Sequence, residues 1–219
     1  MPISTRLGAV GELAASRHGA FTRRQAADIG ISHTTISRLR DRGVLCEPTP
    51  GVLIIAGMPT TFEQRVDVAT LVGGGGLAIG GTAARLHMYD GFAQHADVHV
   101  AIRRGGKLPL ADVRTSQIRE RYGPADVTMV NGIPCATAAR TLCDLARFHP
   151  SMYERATDDF QRRGHSLVWL HQTVERIPRM RGDRLDLVAA DIARRARDLR
   201  IDLHALTSAS RRLSARLST

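Results

Sequence analysis

The sequence predicts an α+β protein built in three parts, which we place at residues 1–57, 58–150 and 151–219. Two short helical patterns joined by a glycine turn lie near the N-terminus. Alternating apolar runs and an Asn-Gly turn lie in the middle part, and from Pro150 onward the periodicity is helical. We therefore expect an N-terminal helix-turn-helix domain with strands, a small mixed α+β domain and a helical C-terminal region.

The N-terminal part opens with a helix expected over residues 5–18. Its apolar residues recur at helical spacing: Leu7, Val10, Leu13 and Ala14. Gly19 ends this helix, and Phe21 is expected in the core just before the next one. Thr22 is expected to cap that next helix, predicted over residues 23–28, because its hydroxyl can accept a hydrogen bond from a nearby backbone N–H.

A tight turn joins this helix to a second one. Gly30 stands where a helix must stop in a left-handed conformation that glycine adopts most easily. Ala26 and Ala27 are small enough for the two helices to cross closely. Ile31 is expected in the core, and Ser32 is expected to cap the second helix.

The second helix has an apolar and a polar face. Ile36 and Leu39 point inward, and the residues expected to face outward are His33, Thr34, Ser37, Arg38 and Asp41. This outward face offers small hydrogen-bonding side chains and one arginine, as a helix entering a DNA major groove needs. After Gly43, the stretch VLCEPTPGVLIIAG predicts two short strands around a Pro/Gly turn, which completes a winged helix-turn-helix. The alternative is an ordinary helical hairpin whose polar face is merely solvated.

Two groups of side chains are the predicted DNA contacts. The arginines expected on phosphates are Arg23, Arg24, Arg40 and Arg42. The side chains expected at base edges are His33, Thr34, Ser37 and Arg38. The full predicted DNA-binding set is Thr22, Arg23, Arg24, Ser32, His33, Thr34, Thr35, Ser37, Arg38, Arg40 and Arg42.

The middle part is predicted to combine a small sheet with covering helices. Thr60 is expected to cap a helix, and the glycines at 73–76 follow it as a turn, because the run lacks the Gly-Lys-Ser/Thr of a phosphate loop. A helix of small residues begins at Gly80. Strands are expected over residues 97–103 and 113–118.

A hairpin and a helix close the middle part. The strands 126–130 and 133–136 flank Asn131-Gly132, the strongest short-turn signal in the chain. Thr137 is expected to cap the helix AARTLCDLARF that follows. The basic turn RRGGK at 103–107 suits a phosphate contact and a solvated loop equally well.

The C-terminal part is predicted to be helical at about 152–163, 167–176 and 185–199. Beyond Arg200 the pattern weakens, and we expect a frayed tail.

Charge favours a polyanionic partner, and composition favours the cytoplasm. The net charge is +10, but the excess is spread along the chain: residues 1–57 carry seven basic and four acidic side chains. No apolar run reaches the roughly 18 residues of a membrane span, and no secretory leader is expected. Three cysteines without a CxxC pair predict neither a disulfide frame nor a zinc site.

No catalytic, metal or cofactor site is predicted. Asp158 and Asp159 are adjacent on a helix and so diverge, which makes a poor metal pair. His95 and His99 have no further ligand at suitable spacing. Asp126 and Asp144 are further candidate acids that are expected to be solvated or in the core, and no serine stands in a nucleophile elbow. An enzyme is therefore not expected.

Three segments in order carry a resemblance to a known family. They are HGAFTRRQAADIGISHTTISRLRDRGVL, LAIGGTAARLHMYDG and VNGIPCATAARTLCDLA. Together they resemble the AbiEi-type antitoxins of type IV abortive-infection toxin–antitoxin systems, and related actinobacterial proteins, over roughly Val10 to His149.

The resemblance implies an autorepressor that binds double-stranded DNA at repeats in its own promoter through Ser32 to Arg38. It also implies a nucleotidyltransferase-like toxin as a partner, and a structural role for the helix at Thr137 to Leu145. Such DNA-binding units usually act as dimers or in tandem, so a homodimer is one expected assembly, with no membrane partner.

Two departures leave alternatives open. Glu47 lies in the stretch before Gly51, where the family often has a basic residue, so a phosphate contact from the wing is not expected. Some relatives continue into a nuclease domain similar to very-short-patch-repair endonucleases, but no strand and lysine pattern for such a site follows Ala190. The alternatives are thus a truncated relative of such an endonuclease protein, or a protein-interaction module that sequesters a toxin.

Overall fold

The computed structural model describes residues 3–15, 17–72, 75–102, 110, 113–117, 122–179 and 184–203. It confirms the predicted α+β class, with two sheets and a helical C-terminal part. The chain divides into two compact units. The first comprises Met1–Ala78, Ala96–Arg119 and Met129–Cys135, and the second comprises Ile79–His95, Glu120–Thr128 and Ala136–Thr219. The three-part division of the sequence stays a prediction.

The N-terminal segment of the first unit has three helices and a three-stranded sheet. The helices are α1 (Ile3–Ala15), α2 (Arg23–Asp28) and α3 (His33–Asp41). The strands are β1 (Ala20–Thr22), β2 (Leu45–Thr49) and β3 (Val52–Ile55). They pair antiparallel in the order β1-β3-β2, with Phe21 opposite Leu53 and Leu45 opposite Ile55. This order of elements is compatible with a winged helix-turn-helix, in which β2 and β3 form the wing.

Local sequence signals account for this segment. The predicted glycines Gly30 and Gly43 have φ values of +80° and +68°, so each ends a helix in the left-handed region. One apolar cluster includes Phe21, Ile31 and Leu53, all at most 2% exposed, and it joins the helices to the sheet. Ala26 lies in this cluster, but Ala27 is exposed, so the expectation that both alanines line the helix crossing was wrong for Ala27.

The rest of the first unit contains α4 and most of a second, five-stranded sheet. Helix α4 spans Phe62–Leu71, and its cap is Thr61 rather than the predicted Thr60, since the Thr61 hydroxyl accepts from the Gln64 N–H. The strands are β4 (Gly76–Ala78), β5 (Val98–Ile102), β6 (Val113–Gln117), β7 (Val127–Val130) and β8 (Ile133–Ala136). Their order is β6-β5-β4-β8-β7.

The five-stranded sheet confirms the four predicted strands and adds one. The predicted hairpin forms β7 and β8, with Asn131 and Gly132 at φ values of +49° and +77°. The strand predicted over 97–103 is β5, and that over 113–118 is β6. Strand β4 was not predicted, because three residues after a glycine run carry too little periodicity.

The second unit is mainly helical. Its helices are α5 (Gly80–Leu86), α6 (Ala138–Phe148), α7 (Pro150–Arg162), α8 (Leu167–Arg176) and α9 (Leu185–Asp198). They share a core that includes Leu142, Phe160 and Ile192, each 0% exposed. The predicted helix at Gly80 and the Thr137 cap are both present.

Some predictions fall on residues that are not described. The basic turn at 103–107, part of the glycine run (73–74) and nearly all of the expected frayed tail (204–219) lie outside the described residues. Among the helices that the structure does describe, none is long and apolar enough to cross a membrane.

Candidate nucleic-acid interface

Helix α3 presents an exposed polar face. Ile36 and Leu39 are buried on its inner side at 2% and 8% exposure. His33, Thr34 and Arg38 are exposed, and Ser37 is half-buried. The structure thus leaves open the face that the sequence assigns to DNA, and the three side chains that would contact base edges first are accessible together.

Ser32 and Thr35 shape the start of α3. The Ser32 hydroxyl accepts a hydrogen bond from the Thr35 N–H at 3.2 Å, and the hydroxyl oxygens of the two residues lie 2.9 Å apart. This is the predicted N-cap. Both hydroxyls therefore already hold the first turn of α3, and Thr35 is half-buried.

Thr22 holds the start of α2 in a reciprocal cap. Its hydroxyl accepts from the Gln25 N–H at 3.1 Å, while its own N–H donates to Gln25 Oε1 at 2.8 Å. This pair satisfies two backbone donors at the helix end, as a capping box does. Thr22 was predicted as a DNA contact, and the structure gives its hydroxyl a role in fixing α2.

Glu47, on β2, links three elements of the N-terminal segment. It accepts two hydrogen bonds from Arg23: Nε to Oε1 at 2.9 Å and Nη2 to Oε2 at 2.6 Å. Arg40 Nη1 lies 2.9 Å from Oε2, and the Gly51 N–H donates to Oε1 at 2.9 Å. We call Arg23, Arg40 and Glu47 the wing cluster. It ties α2, α3 and the wing turn to one carboxylate.

The neighbours of Glu47 stabilise its ionised form. The Arg23 hydrogen bonds, with the Gly51 N–H and the Arg40 charge, lower the pKa of Glu47 to about 2. The same contact raises the pKa of Arg23. Glu47 and Arg23 are therefore both ionised at neutral pH and form a pair of opposite charges.

The other predicted arginines differ from Arg23 and Arg40. Arg24, Arg38 and Arg42 are all exposed. Their side chains form no ion pair with any residue that the structure describes. Arg38 lies in the last turn of α3, and Arg42 is the residue that caps its C-terminal end. Of the arginines predicted to contact DNA, these three have no acid within ion-pair distance among the described residues, so their charges could pair with a polyanion.

Sequence reasoning identified the helix face but missed the role of Glu47. The signal was present, since an acid stood before the wing glycine in a segment with seven basic residues. Its partners are 24 residues away at Arg23 and seven away at Arg40, and no local pattern specifies those pairings.

A second charged group is buried in the other unit, around α6. Arg140 Nε lies 3.2 Å from Asp144 Oδ1, the Tyr122 hydroxyl donates to Asp144 Oδ2 at 3.0 Å, and the Arg140 guanidinium lies 4.0 Å from the Tyr122 ring centroid. Burial raises the pKa of the Asp144 carboxyl, against the opposing effect of Arg140. We call Tyr122, Arg140 and Asp144 the α6 cluster. Arg140 and Asp144 lie in the helix for which the family resemblance implies a structural role, and Tyr122 reaches them from an earlier part of the chain.

The acids set aside in the sequence have partners of their own, and so has His87 at the end of α5. Asp126 accepts from Arg176 at 3.0 Å, Asp158 pairs with Arg195, and Asp159 accepts from Arg162. The His87 ring Nε2 lies 2.7 Å from the Ala136 carbonyl oxygen, at the end of α5. Within the described part of the chain, no cluster of three or more potential ligands could hold a metal ion.

A comparison with known protein families finds a match in the N-terminal segment. Residues 10–56 match a family described as "Transcriptional regulator, AbiEi antitoxin". This confirms the resemblance over the segment from α1 to the end of the wing, and the description is that of a regulator.

The chain is also similar to a crystal structure of the RV2827C protein from Mycobacterium tuberculosis. That protein is 18% identical, with 81% of this chain and 73% of that chain covered and a TM-score of 0.47. No curated protein matches the sequence.

Proposed function

We propose that this protein is a sequence-specific DNA-binding regulator that inserts α3 into the major groove of double-stranded DNA. The observation that carries the proposal is the open polar face of α3, backed by two buried apolar residues, in a segment that matches a family of transcriptional regulators. A helix of nine residues is about 13 Å long, comparable to the roughly 12 Å width of the groove.

Base recognition is assigned to His33, Thr34, Ser37 and Arg38. Arginine is the side chain best suited to guanine, because it donates two hydrogen bonds to the O6 and N7 acceptors. Arg24 and Arg42 would contact phosphates and fix the register of α3 without reading sequence. Ser32 and Thr35 support this surface from the helix cap, and Thr22 does so from α2.

The finer role is that of an antitoxin that represses its own operon. The description of the matched family contains both "transcriptional regulator" and "antitoxin", which supports a role in regulation and a toxin partner. The partner would be a nucleotidyltransferase-like toxin. Two copies of the chain would read repeated half-sites in the promoter, since single helix-turn-helix units gain affinity as dimers.

The proposal is tested by titrating the protein with duplexes that tile the DNA upstream of its own gene, beside a random duplex of equal composition. The variant Arg38→Ala should lose about 1–3 kcal/mol of affinity for the preferred duplex and discriminate less at one base pair. The matched control is Arg197→Ala, which removes an exposed arginine from α9. It should bind within a factor of about two of the wild type.

Two results would reject this function. Wild-type protein that binds no duplex more tightly than the random one has no sequence-specific role of this kind. Equal loss of affinity in Arg38→Ala and Arg197→Ala would mean that overall charge, and not α3, drives binding. A protein that binds no DNA but captures a nucleotidyltransferase-like toxin would match the sequestering alternative.

A further inference from the structure

The two neighbouring arginines at the start of α2 differ in what surrounds them. Arg23 is half-buried and gives two charge-assisted hydrogen bonds to Glu47. Its third guanidinium nitrogen, Nη1, is buried and has no hydrogen-bond partner among the described residues. Arg24 is exposed and forms no ion pair within the described part of the chain. One residue is thus directed inward and the next outward.

We propose that Glu47 is a positioning residue. By binding the Arg23 guanidinium, it makes Arg23 a link between α2 and the wing and keeps Arg23 from contacting DNA. Phosphate contact at the start of α2 then falls to Arg24 alone. The inference rests on the proposed function and goes beyond it, because it divides the basic residues near α3 into contacts and supports.

The geometry explains why a phosphate would not displace Glu47. The carboxylate meets the Arg23 guanidinium with two oxygens, which is the strongest common geometry for this pair. It also accepts from the Gly51 N–H, and the Arg23 N–H donates to the Gly51 carbonyl at 3.0 Å. Displacing Glu47 would leave the Gly51 N–H without its acceptor as well as the two Arg23 side-chain donors, and it would loosen the wing turn.

Arg40 is held less firmly than Arg23. It has one nitrogen within 2.9 Å of Glu47, and 42% of its side chain is exposed, against 27% for Arg23. Arg23, which is held by Glu47, and the adjacent Arg24, which is not, therefore give the clearest comparison for an experiment.

The salt dependence of DNA affinity counts phosphate contacts. For duplex DNA, the slope of log K against log salt changes by about 0.9 for each phosphate neutralised. The test uses a labelled random duplex and the preferred upstream duplex, with affinity measured by fluorescence anisotropy between about 50 and 200 mM salt. The proteins are full-length wild type, Arg23→Ala, Arg24→Ala, Glu47→Gln and the double variant E47Q/R23A.

We expect Arg24→Ala to reduce the slope by about 0.9 and Arg23→Ala to leave it unchanged. In the Glu47→Gln background Arg23 is released, so adding R23A should now reduce the slope by about 0.9. Glu47→Gln should also bind the preferred duplex less selectively, since the wing and α3 lose their common anchor. A purely structural role for Arg23 would not make its contribution to the slope depend on residue 47.

The ion pair can also be observed without DNA. In wild-type protein the Arg23 Nε–H should give a slowly exchanging NMR signal, and Glu47→Gln should abolish it. If wild type binds DNA and Arg23→Ala lowers the slope as much as Arg24→Ala, the inference is overturned and the proposed function stands. If wild type binds neither duplex, the proposed function fails and this inference fails with it, whatever the NMR signal shows.

Discussion

The wing cluster and the α6 cluster are both built from arginine and a carboxylate, but they stand in different surroundings. In the α6 cluster Arg140 and Asp144 are 2% and 3% exposed, and Tyr122 satisfies the second carboxylate oxygen. In the wing cluster Glu47 is 13% exposed, while Arg23 and Arg40 keep 27% and 42% of their side chains accessible.

This difference in exposure distinguishes a cluster that supports the fold from one that lies where a binding partner can reach it. A buried pair contributes mainly through the cost of breaking it, because a lone charge left in the interior has no water to solvate it. The wing cluster lies instead beside Arg24, Arg38 and Arg42, which are exposed cations with no ion pair to described residues. Function is therefore expected beside the wing cluster, and stability is expected from the α6 cluster.

The largest expected effect comes from breaking the α6 cluster. Arg140→Met keeps most of the side-chain volume but leaves the Asp144 carboxylate buried without its guanidinium. We expect the free energy of unfolding to fall by about 3–5 kcal/mol. Urea denaturation followed by circular dichroism measures this change.

The double variant R140M/D144L sharpens the same comparison. It removes both charges and leaves no uncompensated one, so it should be less destabilised than Arg140→Met. The matched control Arg197→Met, on the exposed side of α9, should stay within about 0.5 kcal/mol of wild type. Costs in the double variant that equal the sum of the two single variants would show that Arg140 and Asp144 act independently.

The next effect concerns the wing cluster at low pH. The pKa of Glu47 is lowered to about 2 by its Arg23 hydrogen bonds, whereas in the unfolded chain it has its ordinary value near 4.5. A lowered folded-state pKa stabilises the protein above the unfolded value and loses that contribution as pH falls toward 2. Glu47→Gln should therefore cost about 2 kcal/mol at pH 7, and the difference from wild type should shrink between pH 4.5 and pH 2.

Urea denaturation of both proteins at several pH values checks this sign. Glu12→Gln serves as the control, because it removes a carboxylate that is exposed on α1. A difference between wild type and Glu47→Gln that stayed constant down to pH 3 would mean that ionisation of Glu47 does not contribute to stability.

The difference between local and long-range contacts explains which features the sequence could predict. The bounds of α2, the caps at Thr22 and Ser32 and the glycines at 30 and 43 follow from residues within four positions of one another. Local signals of this kind act in almost any context, so these predictions were confirmed.

Features that depend on distant partners were missed. Strand β1 is only three residues long and exists because it pairs with β3, about 30 residues later. The exposure of Ala27 depends on where the helix crossing lies, and the role of Glu47 depends on Arg23 and Arg40 meeting it in three dimensions. The DNA contacts themselves stay predictions, since an accessible side chain shows what could bind and not what does.

The smallest effect separates two neighbouring residues at the start of α3. The Ser32 hydroxyl caps the helix, whereas His33 is exposed beside it. Ser32→Ala should lower the free energy of unfolding by about 1 kcal/mol, because the Thr35 N–H loses its acceptor. Ser32→Asn retains a cap and should cost little, and His33→Ala should stay within about 0.5 kcal/mol of wild type.

DNA affinity should rank these three variants differently from stability. If Ser32 acts through the cap and His33 through base edges, Ser32→Asn should preserve most of the affinity that His33→Ala loses. Thermal unfolding and titration of the same protein samples with the preferred duplex give both rankings. Identical rankings would mean that α3 affects binding only through its own stability, and the distinction between supporting and contacting residues on this helix would not hold.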